Sequence, residues 1–317
     1  IWPMAPLTPQ TLHAVVVTRT LATKDGDCVS PSKAQRALLT GTTKEPSLTR
    51  LQSRYDTLLA DTGLAPEDVG IALMFTTQTT VDGAVAVAKD IRTRAYTWSG
   101  DASCKPSGAT VHCERTFVAS DYRDEDGVVR GDTPQSSWEL TVGIWLPAQV
   151  PGPWPLLLVG HGINADRGLG GSIAGKIADM GVATMSVDAL RHGDHPTAEG
   201  DFGFAGTMAF LGIDTEAVTA NGLLMRAHFR QSCFDRLQLL ELVSQDPDLD
   251  GDGTPDVDLE RVGYAGISLG GIMGSQILAL SPLLRVGVMM VAGARLSSML
   301  TDSPAFGFVM GLFRDWA

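Results

Sequence analysis

The sequence has few cysteines, no long apolar run and no basic cluster, and each of these absences excludes a class of protein. Its 317 residues contain no apolar stretch close to the roughly 20 residues that a membrane helix needs. No cluster of Lys and Arg is present, and the formal net charge is -12, so we expect no nucleic-acid partner. None of the 4 cysteines belongs to a Cys-x-x-Cys pair, which argues against a zinc site.

The cysteines that are present suggest a disulfide. Cys104 and Cys113 flank a turn-rich segment, and this spacing suits a bond that closes a hairpin-like loop. Such a bond would indicate an oxidising compartment; the alternative is two unrelated buried thiols. Cys28 and Cys233 either pair with each other or stay free. The chain begins Ile-Trp-Pro-Met, so we expect any signal peptide to have been removed or left out.

The first 80 residues differ in pattern from the rest. Residues 6–18 and 68–77 are rich in β-branched residues and predict two strands, while 47–63 carries leucines at helical spacing. The first strand resembles a late strand of an immunoglobulin-like sandwich, with too few strands before it to complete one. We therefore expect 1–80 to be a small α+β or Ig-like region, the remnant of a β domain plus a helix.

From residue 81 to 317, short apolar runs alternate with helical patterns. The runs that predict strands are 111–120, 138–145, 155–160, 182–187, 262–266 and 286–291, and the helical patterns are 81–94, 172–180, 223–243 and 272–280. This alternation indicates an α/β domain with a mostly parallel sheet. Segment 196–222 lies between two of these elements and carries four large apolar residues: Phe202, Phe204, Met208 and Phe210.

The sharpest motif is Gly-Ile-Ser-Leu-Gly at 266–270, between an apolar run and a helical pattern. A strand–turn–helix context of this kind is required by a nucleophile elbow, in which glycines allow a tight turn that lifts the serine clear of the sheet. The N-terminus of the following helix would stabilise a developing oxyanion. The alternative is a glycine-rich turn that contains a serine by chance. We predict Ser268 as the nucleophile.

A second motif, His161-Gly162-Ile163, follows the run at 155–160. With the elbow and the stretch 186–195, it makes residues 100–317 resemble the α/β-hydrolase fold. The resemblance implies that the backbone N–H groups of Ile163 and Leu269 form the oxyanion hole and that His161 is structural. The sequence around Ser268 is similar to that of large secreted bacterial lipases and esterases of the virulence-factor type, which carry an Ig-like segment.

The resemblance implies a secreted or periplasmic serine esterase that acts on small-molecule, lipid or polyester esters through an acyl-enzyme. It implies no organic cofactor. Segment 196–222 lies where hydrolases of this fold insert a lid, and its Phe202, Phe204, Met208 and Phe210 could line an acyl pocket or belong to the core. Two alternatives stay open: a secreted serine peptidase of the same fold, and a non-catalytic binding or adhesion module with a degenerate triad. Short acyl esters and peptide anilides would separate the first alternative from the esterase.

The catalytic base and acid are the difficulty. In this family the chain order is serine, acid, histidine, yet no histidine follows Ser268, and the only later acids are Asp302 and Asp315. The chain could be truncated, with the rest absent or on a second polypeptide; His192 or His195 could act as a relocated base; or the domain could be inactive. The last predicted strand would be only the sixth of the fold, which favours the first explanation. Asp302 is a candidate acid.

An acidic stretch precedes the run at 262–266. Its Asp-x-Asp-x-Asp-Gly start matches the first half of a calcium-binding loop, in which oxygen ligands at every second position surround one hard cation. The candidate ligands are Asp248, Asp250, Asp252, Thr254, Asp256 and Asp258. The match fails at the twelfth position, which is Leu259. We predict a structural Ca²⁺; the alternative is a solvated acidic turn.

Overall fold

The computed structural model describes residues 7–22, 24–79, 81–198 and 203–293. The chain divides into two compact units, Ile1–Val81 and Asp82–Ala317. Three residues singled out by the sequence, Phe202, Asp302 and Asp315, lie outside the described residues.

The first unit packs helices on one small sheet. Its elements are β1 (Leu12–Thr18), α1 (Lys33–Leu39), α2 (Pro46–Thr49), α3 (Gln52–Thr62), a 3₁₀ turn (Pro66–Asp68) and β2 (Val69–Thr76). The strands β1 and β2 pair antiparallel, and their helix-facing side packs against α1 and α3. The alternating run was a strand, as expected, but the chain after it turns helical, with Ser32 capping α1. The described part of this unit is therefore α+β and contains no Ig-like sandwich.

The second unit alternates strands and helices. Its elements are α4 (Asp82–Arg92), β3 (Ser103–Ser107), β4 (Thr110–Asp121), β5 (Ser136–Pro147), β6 (Trp154–Gly160), α5 (Leu169–Ile177, followed by a 3₁₀ turn), β7 (Ala183–Val187), α6 (Phe204–Phe210), β8 (Ile213–Asp214), β9 (Thr219–Ala220), α7 (Gly222–Gln245), β10 (Val257–Ile267), α8 (Leu269–Leu280) and β11 (Leu284–Met290). The α/β class predicted from the sequence is confirmed.

One sheet organises the second unit, with the strand order β11-β10-β6-β7-β5-β4-β3. The four strands β11, β10, β6 and β7 are parallel, whereas β5 pairs antiparallel with β7 and β4, and β4 with β3. The expectation of a mostly parallel sheet holds for these four strands, whereas the sheet as a whole is mixed. The reason is local, because β3, β4 and β5 follow one another without a crossover helix and can pair only antiparallel.

The helix α7 is buried along most of its length, polar residues included. Gln231 and Gln238 hydrogen-bond to the backbone of β4 at Ser120. Buried polar groups need such partners, since an unpaired one costs the free energy of its lost hydration. The helix therefore joins the apolar core to the ends of the strands through specific bonds. Among the described helices, none is long and apolar enough to cross a membrane.

Candidate active site

Ser268 lies at the turn between β10 and α8, in a backbone conformation rare for a residue with a side chain. Its φ is 53° and its ψ is -111°. Non-glycine residues with positive φ cost free energy and cluster at functional sites. The serine is half-buried, and Leu269 is the first residue of α8. Because the first N–H groups of a helix have no partner within it, the Leu269 N–H is available to a bound oxyanion.

The turn is so tight that only glycine fits two positions before and two positions after the serine. A Cβ on Gly266 would lie 2.4 Å from the carbonyl carbon and oxygen of Gly270. A Cβ on Gly270 would lie 2.2 Å from the carbonyl oxygen of Gly160, at the end of β6. Both distances are far below van der Waals contact. The glycines of the motif therefore allow the backbone of the elbow to touch itself and the neighbouring strand.

Three hydrogen bonds hold the elbow in place. The Ser268 N–H donates to the Met290 carbonyl of β11 at 3.0 Å, and the Gly270 N–H donates to the His161 carbonyl at 2.9 Å. The buried Tyr264 hydroxyl donates to the Gly270 carbonyl at 2.6 Å. Burial raises the pKa of Tyr264, so the phenol stays a donor. The serine is thus fixed by both strands that flank β10 and by the strand that carries it.

The segment after β6 lies against the serine. A Cβ built on Gly162 would lie 3.5 Å from the Ser268 Cβ, so the two residues face each other at contact distance. Ile163 follows directly and packs, half-buried, against the core of the unit. The structure brings the second predicted oxyanion residue to the neighbourhood of the nucleophile. Its role as a donor stays a prediction.

His161 has both ring nitrogens occupied by backbone groups. Its Nε2 accepts the Ala189 N–H at 2.9 Å, which leaves the proton on Nδ1, 2.9 Å from the Gly162 carbonyl. The ring is fully buried, and burial, followed by the nearby Arg236, lowers the pKa of His161 to about 3. This arrangement agrees with a structural role, because a neutral imidazole with two bonds has no lone pair left for catalysis.

No hydrogen bond reaches the Ser268 hydroxyl from the residues described. His195, one of the two candidate relocated bases, has Nδ1 against the N–H and hydroxyl of Thr197, and Nε2 lies 3.4 Å from Asp235. Among the described residues, no hydrogen bond joins either nitrogen to Ser268. His192 is buried between His161 and Phe210 with its Nδ1 on the Leu190 carbonyl. Burial lowers the pKa of His192.

The predicted lid segment, 196–222, contains α6, which contacts the loop that follows β6. The Thr207 hydroxyl donates to Asn164 Oδ1 at 2.6 Å, one residue beyond Ile163. Met208 and Phe210 are buried in the core, whereas Phe204 is 50% exposed. Two of the four proposed acyl-pocket residues are therefore core residues, and Phe204 alone of the described ones is accessible. A cavity of about 540 Å³ lies beside α6, with Arg191, Met208 and Ile213 on its walls.

The acidic stretch forms a loop between α7 and β10. Within the described residues, carboxylate oxygens of Asp248, Asp250 and Asp256 lie within 4.8 Å of one another and could share a cation. Burial raises the pKa of Asp256 to about 6, against the N–H groups of Leu249 and Asp250 that it accepts. Asp252 caps the turn at Thr254, and Asp258 pairs with Arg261. Three of the six predicted ligands thus converge, and Ca²⁺ stays a prediction.

The predicted disulfide is present. Cys104 and Cys113 face each other on β3 and β4 and are joined at 2.02 Å. Cys28 is an exposed free thiol and Cys233 a buried one.

The sequence alone did not reveal the residues that support the loops around Ser268 through hydrogen bonds and an ion pair. Ser232 and Arg236 on α7 bond to the loop after β7, and Asp188 in that loop pairs with Arg167. In the helical pattern at 223–243, polar residues such as Ser232 and Arg236 predict a face exposed to solvent.

Comparisons with known proteins give structural likenesses only. No family model matches the sequence, and no curated protein matches it. An acetyl xylan esterase from Paenibacillus sp. R4 is 17% identical, with a TM-score of 0.48 over 75% of this chain and 69% of the other. Acetyl xylan esterase 1 from Thermoanaerobacterium sp. JW/SL YS485 is 19% identical, with a TM-score of 0.48 over 74% and 65%. A cold-adapted esterase from an Arctic intertidal metagenomic library is 18% identical, with a TM-score of 0.36 over 60% and 63%. The chain spans about two thirds of the length of each, and none of them assigns a substrate to it.

Proposed function

We propose that this chain is the nucleophile-bearing part of a secreted serine carboxylic ester hydrolase. The observation that carries the proposal is Ser268 itself, held at φ 53° at the start of α8 with Gly162 against its side chain. A strained serine between a helix N-terminus and a second backbone loop has the geometry that acyl transfer requires. The disulfide between Cys104 and Cys113 supports an oxidising compartment.

In the proposed reaction the Ser268 oxygen attacks the ester carbonyl, and a base takes its proton. The N–H groups of Ile163 and Leu269 bind the oxyanion of the tetrahedral intermediate, which collapses with loss of the alcohol to an acyl-enzyme. Water then releases the acid. The base and the acid that orients it are proposed to come from outside the described residues, with Asp302 as a candidate acid, or from a second polypeptide.

Labelling with a fluorophosphonate, read by intact mass, tests the nucleophile. The probe reacts with an activated serine and hardly at all with an ordinary one. We expect one adduct, lost in Ser268→Ala and kept in Ser275→Ala, whose serine is on the exposed side of the same helix. The same spectrum reveals a second polypeptide if one carries the base.

Absence of an adduct would contradict the esterase and favour the non-catalytic alternative. That alternative has its own observation, since the described residues give the Ser268 hydroxyl no hydrogen-bonded base. For a labelled protein, hydrolysis of 4-nitrophenyl acetate but not of a peptide anilide would support an esterase over a peptidase.

A further inference from the structure

The loop that follows β6 is anchored at two points by one short segment, and this segment is in turn anchored by α7. The loop runs from His161 to Gly168 and includes Ile163; we call it the oxyanion loop. The segment 187–190, which follows β7, is called the anchor segment. Neither contains regular secondary structure beyond the last residue of β7. Their positions therefore depend on side-chain hydrogen bonds.

The first anchor point is at the start of the oxyanion loop. The Ala189 N–H donates to His161 Nε2 at 2.9 Å, in a fully buried setting. Because Nδ1 of the same ring bonds to the Gly162 carbonyl, the ring orients the peptide that precedes Ile163. The direction of the Ile163 N–H is set by that peptide plane.

The second anchor point is at the far end of the loop. The Asp188 carboxylate accepts the Arg167 N–H at 2.6 Å and pairs with the Arg167 guanidinium at 2.7 Å. The Asp188 side chain is 4% exposed and that of Arg167 14%, so this is a shielded pair. Adjacent residues of the anchor segment, Asp188 and Ala189, thus hold both ends of the loop that carries Ile163.

The anchor segment is itself held by α7. The Ser232 hydroxyl accepts the Leu190 N–H at 3.1 Å, and the Arg236 guanidinium donates to the Val187 carbonyl at 2.9 Å. Both side chains are fully buried. A buried guanidinium is costly unless its hydrogen bonds are well used. Arg236 donates one hydrogen bond to the anchor segment and one to the Ser232 carbonyl of its own helix.

We propose that Ser232 and Arg236 are positioning residues for the oxyanion hole, acting through the anchor segment and His161. Within the described residues, neither forms a hydrogen bond to Ser268. Their bonds set where the Ile163 N–H points relative to Ser268, whose own N–H is held by the Met290 carbonyl of β11. The proposal rests on the proposed function, because it concerns the transition state of that reaction.

The test compares Ser232→Ala with Ser244→Ala, a serine of the same helix whose hydroxyl bonds only to its own helix at Glu241. We expect Ser232→Ala to lower kcat on 4-nitrophenyl acetate by about tenfold or more with KM little changed, because misplacing a catalytic group by an ångström costs up to about a hundredfold. Ser244→Ala should change neither constant. Arg167→Met, which removes the ion pair at the second anchor point, should lower kcat in the same direction.

A second measurement does not depend on activity. In ¹⁵N spectra of the His161 ring, we expect wild type to show a protonated Nδ1 and a hydrogen-bonded Nε2, and Ser232→Ala to weaken the Nε2 bond. A folded Ser232→Ala and Arg167→Met with wild-type kcat and unchanged His161 signals would overturn the positioning role alone. A wild-type chain that the fluorophosphonate leaves unlabelled would overturn the proposed function, and the positioning role with it.

Discussion

Replacing Gly266 by alanine tests the steric logic of the elbow most directly. The added Cβ would meet the carbonyl carbon and oxygen of Gly270 at 2.4 Å, where 3.4 Å is the lower end of ordinary contact. The backbone at the start of α8 must therefore move by about 1 Å. Overpacking of this kind costs about 1–3 kcal/mol, and more when the obstacle is backbone that cannot rotate away.

Two readouts follow from that displacement. In a domain of about 150–250 residues, each kcal/mol lowers Tm by about 2–4 °C, so we expect a Tm lower by about 2–12 °C. Because the displaced backbone includes Ser268 and Leu269, the rate of fluorophosphonate labelling should fall by about a hundredfold. Differential scanning fluorimetry and intact mass spectrometry measure the two effects.

The matched control is Gly175→Ala, in the helix α5. A Cβ there meets nothing within 4 Å. Alanine is favoured over glycine in a helix by about 0.5–1 kcal/mol, so this variant should melt slightly higher than wild type and label at the same rate. If Gly266→Ala melts and labels like Gly175→Ala, the close contact between Gly266 and Gly270 is not what shapes the elbow.

Three further predictions concern pH, cation and redox state. The pKa of His161 is lowered to about 3 and that of His228 to about 4, both mainly by burial, from an ordinary 6.5. Below about pH 6.5 the unfolded chain therefore binds more protons than the folded chain. The free energy of unfolding should be highest above that pH and should fall as the pH falls towards 4. Thermal melts at several pH values should show this loss, with a shallower pH dependence in His228→Gln. Adding Ca²⁺ to chelator-treated protein should raise Tm. Asp250→Asn should abolish this increase, whereas Asp252→Asn should keep most of it. A Tm that changes with neither chelator nor Ca²⁺ would refute the cation site. Reducing the Cys104–Cys113 bond, which closes a separation of 9 residues, should cost about 2–3 kcal/mol in denaturant unfolding, and equal midpoints for the reduced and oxidised forms would contradict this.

The sheet of the second unit was predictable wherever a strand is short, apolar and bounded by turn residues. The runs at 155–160, 182–187 and 262–266 are the buried strands β6, β7 and β10. In contrast, β3 is exposed along its whole length and has no apolar pattern to detect. The direction of pairing was also hidden, because single-sequence periodicity identifies a strand but not its neighbours.

Half of the candidate site could be predicted because its chemistry is local. The elbow and the loop after β6 are each a few consecutive residues, so Ser268 could be named from the spacing of its motif, and Ile163 and Leu269 from the family resemblance. The residues behind them belong to distant parts of the chain. Ser232 and Arg236 acquire a role only when α7 packs beneath β7, a tertiary fact that no window of sequence contains.

The backbone of Ser268 has a consequence for how this chain can change over time. At φ 53° the folded state would be more stable with glycine than with any residue that has a Cβ, by about 1–3 kcal/mol. Ser268→Gly should thus yield a more stable, inert protein that is reached by very few nucleotide changes. A domain under no selection except to fold would drift towards that sequence. The serine therefore works against the stability of its own fold, a cost that its proposed role as the nucleophile would explain.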